Sequence, residues 1–144
     1  MATFSELPLS AALQKSLDTL RYTDMTPVQA EGLPAVLAGR DLIVQAPTGS
    51  GKTVAFALGL LQRLEPTLLR VQALVLCPTR ELVDQVAKEI RRLASNMPNI
   101  KVTILTGGVP LGAHLASLRK DPHVVVGTPG RIQELLGAVE MAKG

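Results

Sequence analysis

The chain has 144 residues, 47% of them hydrophobic, and sets 15 Lys and Arg against 12 Asp and Glu, for a formal net charge of +3. That balance argues against a disordered chain, supports one globular core, and leaves room for an anionic partner without demanding one. A single cysteine, Cys77, excludes an internal disulfide, and the scarcity of aromatics (Phe4, Tyr22, Phe56) leaves the core to Leu, Val, Ile and Ala.

The opening stretch "MATFSELPLS" has neither the basic region nor the apolar run of a secretory signal, and no apolar stretch approaches a membrane span, so a soluble, cytoplasmic protein is expected. Ser10 is a good N-cap, and Leu13, Leu17 and Leu20 follow at helical spacing, which predicts an amphipathic helix to about Arg21. Thr26-Pro27 pairs a cap residue with proline at the first helical position and starts a second helix, whose regularity Pro34 limits.

From Asp41 the rhythm changes. "LIV" (42–44), "ALVLC" (73–77), "VTIL" (102–105) and "VVV" (124–126) are short apolar runs, each followed by turn residues and then a helical stretch. They read as buried parallel strands, with helices over about 52–64, 80–96, 111–120 and 129–136. Strand and helix in alternation predict a doubly wound α/β sheet, with residues 1–40 as a helical region and 41–144 as the α/β domain.

The loop "APTGSGKT" (46–53) stands between the first of these runs and a predicted helix. A helix that starts behind a glycine turn offers unpaired N–H groups and the positive end of its dipole to an anion. Gly49 and Gly51 let the backbone curl around a phosphate, Lys52 can reach its terminal oxygens, and the Thr53 hydroxyl suits Mg²⁺. Ala46 replaces the usual first glycine, and such a pattern arises by accident in roughly one chain of this length in a hundred. A phosphate loop alone names no reaction, since kinases, GTPases and motors all carry one.

Upstream, the Gln29 side-chain amide both donates and accepts, as adenine N6 and N7 require. Tyr22 could stack on the base and Phe4 could brace the same pocket, although a tyrosine and a phenylalanine also serve as core. Downstream, "PTREL" (78–82), Gly107-Gly108 and "TPGR" (128–131) each follow a strand. Strand polarity gathers these loops, with Arg80 and Arg131, on the edge expected to hold the phosphate loop. Small residues with arginines suit a sugar-phosphate backbone better than base edges.

With these motifs in this order, the chain resembles the N-terminal RecA-like domain of DEAD-box ATP-dependent RNA helicases and looks most like bacterial members of the DbpA type. "TPVQ" with Tyr22 and Phe4 resembles the Q motif, "APTGSGKT" motif I, "PTREL" motif Ia, Gly107-Gly108 the GG motif and "TPGR" motif Ib. The resemblance implies nucleotide binding by Tyr22, Gln29, Ala46, Thr48, Gly49, Ser50, Gly51, Lys52 and Thr53. Within that set, Lys52 and Thr53 serve catalysis and Thr53 coordinates Mg²⁺. It further implies sequence-independent contact with an RNA backbone by Thr79, Arg80, Gly108, Thr128 and Arg131.

Arg21 and Met25 depart from the family, which usually has glycine and often proline there. "DEAD" and "SAT" sequences and a second RecA-like domain do not occur before the final "AVEMAKG", so these 144 residues are expected to be incomplete for hydrolysis and unwinding. A nucleotide- or RNA-binding module without turnover, or a small-molecule kinase, remains an alternative, the latter giving Gln29 and the downstream loops no role. His114 and His123 lack metal-spaced partners and are expected to be structural.

Overall fold

The computed structural model describes residues 2–143, with side chains over 2–138. The residues group into two compact units, one formed by 1–64 and 89–98, the other by 65–88 and 99–144.

In the first unit, a 3-10 turn at Phe4–Glu6 precedes helices α1 (Ala11–Thr19), α2 (Pro27–Leu37) and α3 (Lys52–Arg63). Ser10 caps α1 by accepting from the Leu13 N–H, as its sequence position indicates, and Leu13 and Leu17 are buried. The helix closes in a Schellman motif: Tyr22 N–H reaches Leu17 O at 2.9 Å and Arg21 N–H reaches Asp18 O at 3.1 Å. Its closing residue, Arg21, has φ 62°, the left-handed conformation in which glycine is at ease. The same motif ends α2, where Gly39 takes φ 86° without that strain.

α2 and α3 run side by side with their N-termini together. Gln29 lies against Gly51 at one end, and farther along Val36 approaches Gly59 so closely that a Cβ there would meet it at 2.0 Å. Pro34 lies within α2 without ending it.

The expected strand at 42–44 does not form. Residues 40–47 carry no regular structure, and Ile43 is 94% exposed, with Leu42 and Val44 also exposed. A strand needs a hydrogen-bonded neighbour as well as an apolar run, and the first unit has no strand to offer; its one described bridge joins Thr3 and Asp24.

The second unit is built on three parallel strands, β1 (Ala73–Leu76), β2 (Val102–Leu105) and β3 (Val124–Gly127), in the order β1-β3-β2. The central strand is buried throughout, as its uninterrupted valines predict. Leu76 and Leu105 both stand in register with Gly127, so the three strands end level. Helices α5 (Leu111–Leu118) and α6 (Pro129–Lys143) pack Leu111, Leu115, Leu118, Ile132 and Leu135 onto Leu105 and Val125. Helix α4 (Arg80–Leu93) gives its residues through 88 to this unit and the rest to the first. Cys77, at the end of β1, is buried, and burial raises its thiol pKa. His123 is fully buried: its Nδ1 accepts from Lys101 N–H, so its Nε2 donates to Pro66 O at 2.9 Å, tying the 65–72 turn to β3.

Candidate nucleotide and polyanion sites

The N-termini of α2 and α3 make the first candidate site. Thr26 caps α2 and forms a full capping box with Gln29, whose Oε1 accepts from Thr26 N–H at 2.9 Å. The T-x-x-Q spacing makes the box legible in sequence. Its onward reach is not: the Thr26 hydroxyl donates to Ser50 O at 2.7 Å, and Gln29 Nε2 donates to Gly51 O at 3.2 Å. The box that caps one helix therefore also fixes the turn that begins the next. Gln29 is only 5% exposed. With these bonds made, its amide still has one N–H and one lone pair that an adenine edge could use.

Gly49 and Gly51 take φ 83° and 91°, the curl that L-residues resist. A Cβ at Gly51 would sit 2.4 Å from Gln29 Nε2, whereas one at Gly49 would meet nothing within 4 Å. α3 starts behind Gly51 without a side-chain cap, so its first N–H groups are open to a ligand, whereas the N-terminus of α2 beside it is closed by its capping box and by Pro27. Lys52 Nζ folds back on Ala46 O, and the buried Ser50 Oγ has no partner. An orphaned hydroxyl, a lysine held by one carbonyl and the uncapped N-terminus of α3 form a donor set that fits a polyphosphate. Thr53 lies in the first turn of α3, half-buried, and Thr48 is exposed on the loop.

Tyr22 donates its hydroxyl to Glu89 Oε1 at 2.9 Å, and Arg92 holds the other carboxylate oxygen at 3.2 Å. Burial, then the Glu89 hydrogen bond, raise the phenol pKa. Its ring lies 6.2 Å from that of buried Phe4, so Phe4 braces Tyr22 from within the core. Sequence reasoning had no signal for Glu89, which lies 67 residues away.

The second candidate site lies at the level carboxyl ends of β1, β2 and β3. Thr79 caps α4 by accepting from Leu82 N–H, and Arg80 is exposed beside Gly108: a Cβ there would lie 3.1 Å from its guanidinium. Gly108 has φ 87°, so the GG turn needs glycine for conformation as well as for room. Thr128 anchors its loop through its N–H to Leu105 O at 3.1 Å. Arg131 differs from the free surface cation expected from sequence. Its side chain is 10% exposed, and Nη1 donates to Val109 O at 2.8 Å and to His114 Nδ1 at 3.1 Å. Among the predicted polyanion contacts, the register thus brings Arg80, Gly108 and the Arg131-held turn together, with Arg131 as the inner member.

No helix among the described residues is long and apolar enough to cross a membrane. The parallel sheet with its flanking helices is that of a RecA-like P-loop domain, of which this chain carries a three-stranded part. The chain belongs to the DEAD/DEAH box helicase family, whose model matches residues 26–143. It is 56% identical over 137 residues to the ATP-dependent RNA helicase DbpA of Escherichia coli strain K12, covering 94% of this chain and 30% of that protein. Against the ATP-dependent RNA helicase DeaD of the same strain it is 45% identical over 143 residues, covering 98% of this chain and 23% of that protein. The crystal structure of a DEAD box protein from Methanococcus jannaschii superposes with a TM-score of 0.87 at 36% identity, over 94% of this chain and 37% of that one. The chain therefore spans less than a third of the length of these two curated relatives.

Proposed function

We propose that the chain is the ATP-binding and RNA-backbone-contacting part of the first motor domain of an ATP-dependent RNA helicase. The observation that carries this reading is the bond pair from Thr26 to Ser50 and from Gln29 to Gly51, which joins a base-reading amide to a phosphate turn at two helix N-termini. Gln29 and Tyr22 read and stack the adenine. The turn from Ala46 through Thr48, Gly49, Ser50 and Gly51 cradles the phosphates, and Lys52 moves from Ala46 O to their charge. Thr53 would hold the loop's side of a Mg²⁺ ion, which when bound would neutralise charge on the phosphate oxygens of the nucleotide.

In the second unit, Thr79, Arg80, Gly108, Thr128 and Arg131 form a backbone-reading edge. Charge and backbone N–H groups there recognise phosphates irrespective of sequence. These residues bind but do not turn over by themselves, because phosphoryl transfer also needs an acidic metal ligand and, in most P-loop enzymes, an arginine finger. The two curated relatives, both ATP-dependent RNA helicases, agree with this assignment.

Calorimetry of ATP binding to the parent protein and to Lys52→Ala tests it. The variant should lose binding while keeping its melting temperature, since a lysine at the first position of α3 bonded to one carbonyl adds little to packing. Equal ATP affinity in the two proteins refutes the nucleotide reading.

A further inference from the structure

We propose that neutral His114 is a positioning residue for the RNA-contacting edge: it holds Arg131 against the Val109 carbonyl and thereby fixes the turn that presents Gly108. The proposal rests on the RNA-backbone reading above and adds to it a residue outside the motif set and a dependence on protonation.

Chemistry fixes the state of the histidine. A guanidinium nitrogen has hydrogens to give and no lone pair to accept with, so His114 Nδ1, at 3.1 Å from Arg131 Nη1, is the acceptor. The ring is therefore the neutral tautomer with its proton on Nε2. The same Nη1 gives its other hydrogen to Val109 O at 2.8 Å, and Val109 directly follows Gly107-Gly108. His114 is 5% exposed, so the bond is shielded from water that would otherwise replace it.

The surroundings disfavour a second positive charge. α5 (LGAHLASL) carries no other titratable side chain, and β2 (VTIL), packed beside it, carries none. α6 presents Arg131 itself and Glu134, whose carboxylate lies 3.6 Å from Arg131 Nε but is 62% exposed and so well screened. Arg80 approaches the same turn at Gly108. Protonation would place an imidazolium against a guanidinium and remove the acceptor. Burial first, and the Arg131 charge second, accordingly lower the His114 pKa from 6.5.

The sign follows. A histidine with a lowered folded-state pKa contributes stability that is present above 6.5 and is lost as pH falls below that value, down to the lowered one. Acidification releases Arg131 and the turn. Simple electrostatics predicts the opposite for a polyanion ligand, because an added cation near phosphates strengthens attraction. The direction of the pH effect therefore separates positioning from charge.

The test is fluorescence anisotropy of the 144-residue protein with a labelled single-stranded oligouridine at low salt, at about pH 7.5 and at a pH below the one at which ring-nitrogen NMR shows His114 to become protonated. Parent affinity should fall as His114 becomes protonated, toward a limit of about tenfold once it is fully charged, the size of one lost hydrogen bond to a charged group. His114→Ala should bind about tenfold more weakly at both pH values on the same grounds. His114→Gln, whose amide oxygen accepts without titrating, should restore binding relative to His114→Ala and abolish the pH dependence, with His123 still present as the internal control. Ring-nitrogen NMR of the free protein should show Nδ1 unprotonated and titrating below 6.5, a readout independent of RNA. A parent affinity that is flat or rises on acidification, or a protonated Nδ1 at neutral pH, overturns the proposal while leaving RNA binding intact. Absence of binding by the parent at either pH overturns the RNA reading itself, and this proposal with it.

Discussion

Gln29→Ala removes two bonds at once, the acceptor for Thr26 N–H and the donor to Gly51 O, at a site that is nearly closed to solvent. Each such bond contributes about 0.5–1.5 kcal/mol net, and the stranded Gly51 carbonyl adds desolvation cost, so the expected loss is about 2–3 kcal/mol. For a chain of this size that lowers the melting temperature by about 4–10 °C. Gln29→Glu separates the two contributions. Its carboxylate still accepts from Thr26 N–H and favours the positive end of α2, but an oxygen replaces the donor facing Gly51 O at 3.2 Å. The variant should keep the Thr26 contact but lose about 1–3 kcal/mol at Gly51, whose carbonyl is stranded against a carboxylate oxygen, and bind ATP as poorly as the alanine variant because the 46–51 turn is no longer held. Circular-dichroism melts and calorimetry with ATP and GTP read both quantities. ATP affinity at the parent level in Gln29→Glu would show that the bond to Gly51 has no part in nucleotide binding. An unshifted melt in Gln29→Ala would show that the two bonds carry no net stability.

Arg21→Gly should stabilise the protein by about 0.5–1 kcal/mol, because it relieves about 1–2 kcal/mol of left-handed strain at the end of α1 and concedes about 0.5–1 to chain entropy; a lower melting temperature would contradict this. Gly127→Ala should cost about 1–3 kcal/mol, since its Cβ would sit 2.7 Å from the Leu105 carbonyl oxygen and 2.9 Å from Ile132 in a packed strand end, and a denaturant titration with an unchanged midpoint would count against that packing. Arg80→Ala should weaken binding to unrelated RNA sequences equally and reduce the salt slope by about 1, while sequence-dependent loss would indicate base readout. Arg131→Ala should lose more affinity than Arg80→Ala because it also frees the Val109 turn; equal losses would mean the turn holds its shape without it.

What could be read from sequence was local. Ser10 and Thr26 act on N–H groups three residues on, Pro27 fixes its own φ, and the glycines at 49 and 51 meet a demand of their own backbone. The three strands formed where β-branched runs predicted them, and their parallel register placed the "PTREL", GG and "TPGR" loops level. The run at 42–44 is as apolar as those strands, yet stays irregular, because a ladder is made by a neighbour and composition cannot supply one. The destinations of long side chains were equally hidden. Arg131 reads in sequence as a surface cation, but tertiary packing places it under Val109 and against His114, 17 residues back. Gln29 reads as a base-binding amide, yet the approach of α2 to α3 makes it a bolt on the glycine turn 22 residues ahead. Capping and turn geometry depend on bonds within a few residues, so the sequence determined them; which donor meets which acceptor across the chain depends on how the elements pack, so only the tertiary structure decided it.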